Sequence, residues 1–164
     1  MSTEKTPLQT AREATSQRIA ENEARFEQIQ KEIEEVLEVN SEMLDSEALR
    51  HVKIHTMIQR HYTREYKALE KQIIRFDLAK NKAKKYYLGK SSEEEYAQKP
   101  LRVSVMKTEV DEYMKVDEDL ILAKMELQVQ ERIVKYLEDS KKMMSERLYA
   151  IKYAIDFKRM MSGT

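Results

Sequence analysis

The residues whose types and spacing offer chemistry lie between Lys53 and Lys90. Lys53, Arg60, Arg64, Lys67, Lys71, Arg75, Lys82 and Lys85 recur at helical spacing. At 100° per residue they fall within roughly 80° of arc on one side of a helix. One continuous helix would carry them as a ridge about 48 Å long. Like charges four apart cost stability unless something neutralises them. The acidic residues of the stretch, Glu65, Glu70 and Asp77, fall on the flanks of the ridge or beyond it. Such a surface is suited to a polyanion. At its distal end, in "KNKAKKYYLGK", Lys84, Lys85 and Lys90 surround Tyr86 and Tyr87. Aromatic rings beside phosphate-binding lysines favour single strands, whose unstacked bases can lie on them. Tyr87 falls on the apolar side of the helix, and Tyr86, nearly 100° away, is the candidate for stacking.

Other chemistries find little support. The sequence lacks GxxxxGK[ST], GxGxxG and GxSxG, so no nucleotide loop or nucleophile elbow is present. It has no cysteine, which excludes disulfides, thiolate metal sites and a cysteine nucleophile. His51 and His55 stand one helical turn apart but have no evident third metal ligand. The acidic runs "SEEEY" and "VDEDL" lack the glycine and ligand spacing of a calcium loop. The expectation is a protein that is not an enzyme and needs neither metal nor cofactor.

The elements that must position the ridge are helices. Charged residues make up 37% of the 164 against 7% aromatic, with two Gly and two Pro. Too few turn formers remain for a sandwich or a doubly wound sheet, so the fold class is all-α, with long helices and heptad seams. Net charge is zero but unevenly spread. Residues 1–49 carry five basic and twelve acidic residues, a net −7; residues 50–90 carry twelve and three, a net +9; residues 91–164 carry thirteen and fifteen, a net −2. An acidic arm before a basic block implies a polyanion partner, or an internal screen for one.

Three segments follow. Residues 1–40 form an acidic helical arm and possible coiled coil, frayed over 1–11, with Ile19, Phe26 and Ile33 on one seam and Asn22, Ile29 and Val36 on the other. Residues 41–90 hold the basic helix from about 47 to 87, capped by Asp45 or Ser46 and ended by Gly89. Its apolar seam is Tyr62, Tyr66, Leu69, Ile73, Phe76, Ala83 and Tyr87. Residues 91–164 form a connector, broken at Pro100, and a long helix from about Asp117 to Met161 ended by Gly163. Leu120, Leu127, Val134, Leu137, Met144, Leu148, Ile151 and Ile155 line its seam and are the candidates for self-association. No apolar run is long enough to span a bilayer, so a soluble, intracellular protein without a membrane partner is expected.

Three stretches in order, "KNKAKKYYLGK", "MKTEVDEYMKVDEDL" and "SERLYAIKYAIDFKRM", resemble the UvsY recombination mediator family of T-even-type phages. The family's Tyr-Tyr-x-Gly, Met-Lys-Thr, Lys-Val-Asp and Arg-x-x-Ala-Ile-Lys features match at Tyr86–Gly89, Met106–Thr108, Lys115–Asp117 and Arg147–Lys152. Its paired basic positions fall on Asn81 and Ala83, whereas the lysines here stand at 80, 82, 84 and 85. The resemblance implies a ring-like or open-barrel homo-oligomer, a hexamer or heptamer, joined largely through the C-terminal helix. It also implies single-stranded DNA binding without sequence preference, and loading of a RecA-like recombinase onto DNA coated by single-strand-binding protein. The cytoplasm of a bacterial host during phage infection would be the setting. The competing expectation is a structural coiled-coil adaptor that binds only protein.

Overall fold

In a computed structural model of the chain, residues 6–163 are described, and among them every regular element is helical. In order these are α1 (Pro7–Leu37), α2 (Leu44–Tyr87), α3 (Glu93–Gln98), α4 (Val110–Lys115) and α5 (Glu118–Ser162). The all-α expectation is met.

The ends of the helices follow from local chemistry. Thr6 and Gln9 form a reciprocal box: the Thr6 hydroxyl accepts from the Gln9 N–H at 3.3 Å, and the Gln9 side chain accepts from the Thr6 N–H at 3.0 Å. Pro7 takes the first helical position, where its missing N–H is not needed. α1 therefore begins inside the stretch expected to fray, of which residues 1–5 lie outside the described part. α2 begins at Leu44, so Asp45 sits in the first turn as a partner of the helix dipole rather than as its cap. Gly89 ends α2 as expected: at φ +73° its N–H bonds to the Tyr86 carbonyl and the Lys90 N–H to that of Lys85, the paired bonds of a Schellman stop. Ser92 caps α3, and the Asp117 carboxylate caps α5 by accepting from the Leu120 N–H at 3.0 Å.

The chain forms two compact units, one of residues up to Glu23 with Leu69–Gln130, the other of Ala24–Ala68 with residues from Glu131 on. Each of α1, α2 and α5 contributes to both, so the units cut across the three sequence segments.

In the second unit, stretches of α1, α2 and α5 bury Ile29, Ile33, Ile54, Ile58, Ile133, Val134, Leu137, Met144 and Ile151. Phe26 meets Tyr136 edge-on at 5.7 Å. Arg147 and Glu47, about 5% and 6% exposed, form a buried ion pair. Burial opposes ionisation of Glu47, but hydrogen bonds from Arg147 and Arg50 outweigh it and lower its pKa. This core corrects one expectation. Val134, Leu137, Met144 and Ile151 are consumed by the chain's own packing and are not free to join subunits; Leu120, Leu127 and Ile155 are half-buried, and Leu148 alone of that set is exposed. The heptad period finds the inward face of α5 but cannot say whether another copy or the same chain covers it.

In the first unit, Tyr86, Tyr87, Val110 and Met114 form the centre of a cluster that Ala83, Leu101, Val105 and Leu120 surround.

Candidate nucleic-acid interface

The inward face of α2 is rotated from the apolar seam read in the sequence. Glu65 is 2% exposed and Gln72 is buried, while Tyr66 and Ile73 are exposed. Glu65 can lie inside because Arg25 of α1 (3.2 Å) and Arg64 (3.1 Å) neutralise it. A helical projection weighted by apolar residue type cannot foresee a carboxylate that brings its own counter-ions.

The rotation leaves the basic residues outside. Lys53, Arg60, Arg64 and Lys67 are exposed in the second unit, and Lys71, Arg75, Lys82, Lys84, Lys85 and Lys90 in the first. Lys53, Arg60, Lys67, Lys71, Lys84, Lys85 and Lys90 form no ion pair with any described residue. Three others are tethered. Arg64 bonds to Glu65 and to the His61 ring at 2.9 Å, Arg75 donates to the Gln72 side chain at 3.2 Å, and Lys82 pairs with Glu95 at 2.9 Å. Lys84 and Lys85 also occupy the last turn of α2, where cations suit the dipole.

Tyr86 corrects an expectation. Its ring is 5% exposed, stacked on Tyr96 at 5.3 Å between centroids, and its hydroxyl donates to the Lys99 carbonyl at 2.8 Å. No base can reach it without unpacking α3. What covers Tyr86 is the connector folding back, a contact ten to thirteen residues away that periodicity does not reveal.

Beneath these tyrosines lies a polar network. Tyr87 donates to Asp117 at 2.8 Å, and Lys99 donates to Asp117 at 2.7 Å and to Asp119 at 3.2 Å. Arg12 of α1 pairs with Asp119 and Glu118. Burial works against ionisation of Asp117, but the bonds from Lys99, Tyr87 and the Leu120 amide outweigh it and hold its pKa below the usual carboxylate value. Burial raises the pKa of Tyr87, and its bond to ionised Asp117 raises it further. A cavity of about 250 Å³ beside the network is lined by Leu8, Ala11 and Thr15 of α1 and by Ala79, Ala83 and Tyr86 of α2. In this unit α1 thus meets the Ala79–Ala83 face of α2, and its arginines Arg12 and Arg18 reach carboxylates of α5 (Arg18 to Glu126 at 2.9 Å). The acidic arm docks by its few cations.

Two residues on the ridge escaped the charge count. Ile74 is 60% and Leu78 64% exposed, among the lysines of the first unit. His51 is half-buried, its pKa lowered by burial and then by Arg147 and His55; among the described residues no group of three or more His, Asp or Glu is placed to hold a metal. No described helix is long and apolar enough to cross a membrane.

Residues 23–164 match the family described as "Recombination, repair and ssDNA binding protein UvsY". The chain belongs to the UvsY family. Its fold is shared with the crystal structure of the bacteriophage T4 recombination mediator protein UvsY in lattice type II, at TM-score 0.74 and 18% identity, over 83% of this chain and 96% of that one. The lattice type IV structure of the same protein gives 0.69 and 17%, over 83% and 98%. No curated protein matches the sequence. The UvsY family match begins at residue 23, so the first four turns of α1, with Arg12 and Arg18, precede it.

Proposed function

We propose that this UvsY-family chain is a recombination mediator that binds single-stranded DNA as a homo-oligomer and loads a RecA-like recombinase onto DNA coated by single-strand-binding protein. The observation that carries the reading is the set of unpaired, exposed cations along α2, in a chain whose family is described by single-strand binding. Lys53, Arg60, Lys67, Lys71, Lys84, Lys85 and Lys90 offer point charges to phosphates, with Arg64, Arg75 and Lys82 in support. Tyr86 acts by positioning: packed on Tyr96, it fixes the end of α2 from which Lys84 and Lys85 project. No step of bond making is assigned to the chain, which acts by binding alone, in the cytoplasm of an infected bacterial cell.

Self-association supplies what one subunit lacks, because linked weak sites multiply affinity. The surface suited to it is the outward stripe of α5 near its end: Tyr149, Tyr153, Phe157 and Met160, all exposed. Apolar side chains of this size, at spacings of three and four, are where a helix finds a partner.

Fluorescence anisotropy with a labelled oligonucleotide, alongside light scattering for mass, tests the proposal. Binding at low salt by a species several times the subunit mass is expected. An oligomer that binds no DNA at low salt would favour the adaptor reading instead.

A further inference from the structure

The basic face of α2 is not purely basic where it runs through the first unit. Projected down the helix at about 100° per residue, Leu78 falls between Lys71 and Lys85, and Ile74 lies about 20° beyond Lys85. Both side chains stand more than half exposed. A charge-only phosphate surface has no use for two large aliphatic residues at its centre, and water is a poor solvent for them. They are one turn apart. The neighbours along the same line, Lys71 before and Lys82 after, are cations.

We infer that Ile74 and Leu78 are a base-contacting site, on which the bases of a single strand rest while Lys71, Arg75, Lys82 and Lys85 hold its phosphates. The inference rests on the single-strand reading above and specifies how that site works. Three observations select this occupant. First, the apolar area is interrupted by cations at both ends, so its ligand must present anionic and apolar surface in close alternation. A single strand does so at every nucleotide, whereas a duplex hides its base faces. Second, the aromatic platform that the sequence offers for stacking is spent, since Tyr86 and Tyr87 are buried in the cluster with Val110 and Met114. Contact with bases then falls to the exposed apolar groups among the cations. Third, two side chains are far too little for a stable subunit contact, which needs about 1,200–2,000 Å² of buried surface. Aliphatic contact discriminates poorly among the four bases, which suits binding without sequence preference.

The test compares two probes of equal length and equal phosphate number, a labelled mixed-sequence oligonucleotide and its abasic counterpart, on two proteins, the wild-type chain and Ile74→Ala/Leu78→Ala. Alanine is a strong helix former and both sites are on the surface, so the fold should survive, as a thermal melt would check. Wild type is expected to bind the base-bearing strand about five- to tenfold more tightly than the abasic one, the size of a small apolar contact. The variant is expected to lose that preference, to bind both strands at the abasic level, and to keep the salt slope of wild type. Equal wild-type affinity for the two strands would overturn the inference. So would a variant that keeps the base preference, or one whose mass by light scattering falls while its affinity per subunit does not, which would make the patch a contact between copies. Wild type that binds neither strand would instead overturn the single-strand reading on which this inference rests.

Discussion

Two sets of cations in this chain share residue types and differ in everything around them. Arg12, Arg18, Arg25, Lys99 and Arg147 each face a carboxylate that folding has brought close: Glu118 and Asp119, Glu126, Glu65, Asp117, and Glu47. Lys53, Arg60, Lys67, Lys71, Lys84 and Lys85 are exposed on α2, all but Lys84 within one narrow arc of the helix, and none is so paired among the described residues. In the first set the carboxylates Glu47, Glu65, Asp117 and Glu126 are buried, so loss of the cation strands a charge in a poor solvent. The second set makes no ion pair within the fold and costs some repulsion, offset only where Lys84 and Lys85 meet the C-terminal dipole of α2. The proposed phosphate contacts draw on the second set alone, and the comparison separates two groups of cations that composition alone merges.

Breaking the first set should give the largest effect. Arg147→Met leaves Glu47 buried and without its main counter-ion, with a cost of about 3–5 kcal/mol in urea unfolding. A loss below about 1 kcal/mol would mean that the pair is solvated and the distinction between the sets is overdrawn. The second set should respond in the opposite way. Lys71→Ala with Lys85→Ala is expected to leave the melt within about 0.5 kcal/mol of wild type. It should weaken single-strand binding and reduce the magnitude of the slope of log K on log salt by about 0.7 for each phosphate no longer neutralised. An unfolded variant would place those lysines with the structural cations, and unchanged binding would contradict their proposed contact with phosphates.

Acid sharpens the same contrast. Burial of Asp117 and Asp119 favours their neutral forms, but bonds to Lys99, and from Arg12 to Asp119, outweigh it, so both pKa values lie below the ordinary 3.8. A carboxyl with a depressed folded pKa contributes stability above its unfolded value, and that contribution is lost as pH falls through the folded one. Stability should therefore decline below about pH 4, and Lys99→Met should flatten that decline while lowering stability at pH 7. A melt whose acid dependence is unaltered by Lys99→Met would show that the network contributes nothing to stability. A smaller loss of stability than that of the Arg147 pair is expected at the end of α2. Gly89→Ala forces an L-residue to φ +73°, with nothing within 4 Å of the added Cβ, so strain alone acts, at about 1–2 kcal/mol. A neutral substitution would show that the Schellman stop relaxes freely.

Much of this architecture is legible in the sequence. Length and period place the three long helices, and Gly89, Asp117 and Gly163 mark ends of α2 and α5 by residue chemistry alone. The start of α1 is misread, since residues 1–11 are expected to fray while the Thr6–Gln9 box, with Pro7 at the first helical position, begins the helix there. What the sequence hides is which face a tertiary neighbour covers. Glu65 lies inside because Arg25, forty residues away, reaches it. Tyr86 lies inside because Tyr96 and the Lys99 carbonyl fold over it. Val134, Leu137, Met144 and Ile151 turn inward onto the chain's own core. For the interface, the lysines are visible by charge and spacing; Ile74 and Leu78 are not, because an apolar residue on a helix is assigned to the core by default and only exposure reveals otherwise.

The central claim is that the unpaired cations of α2 serve a single strand's phosphates, and its most direct measurement is the affinity of the full chain for a labelled single-stranded oligonucleotide across a salt series. Tight binding at low salt, with log K falling linearly as log salt rises by about 0.7 per phosphate neutralised, is the expected result. No binding at the lowest salt, or an affinity indifferent to salt, would contradict it.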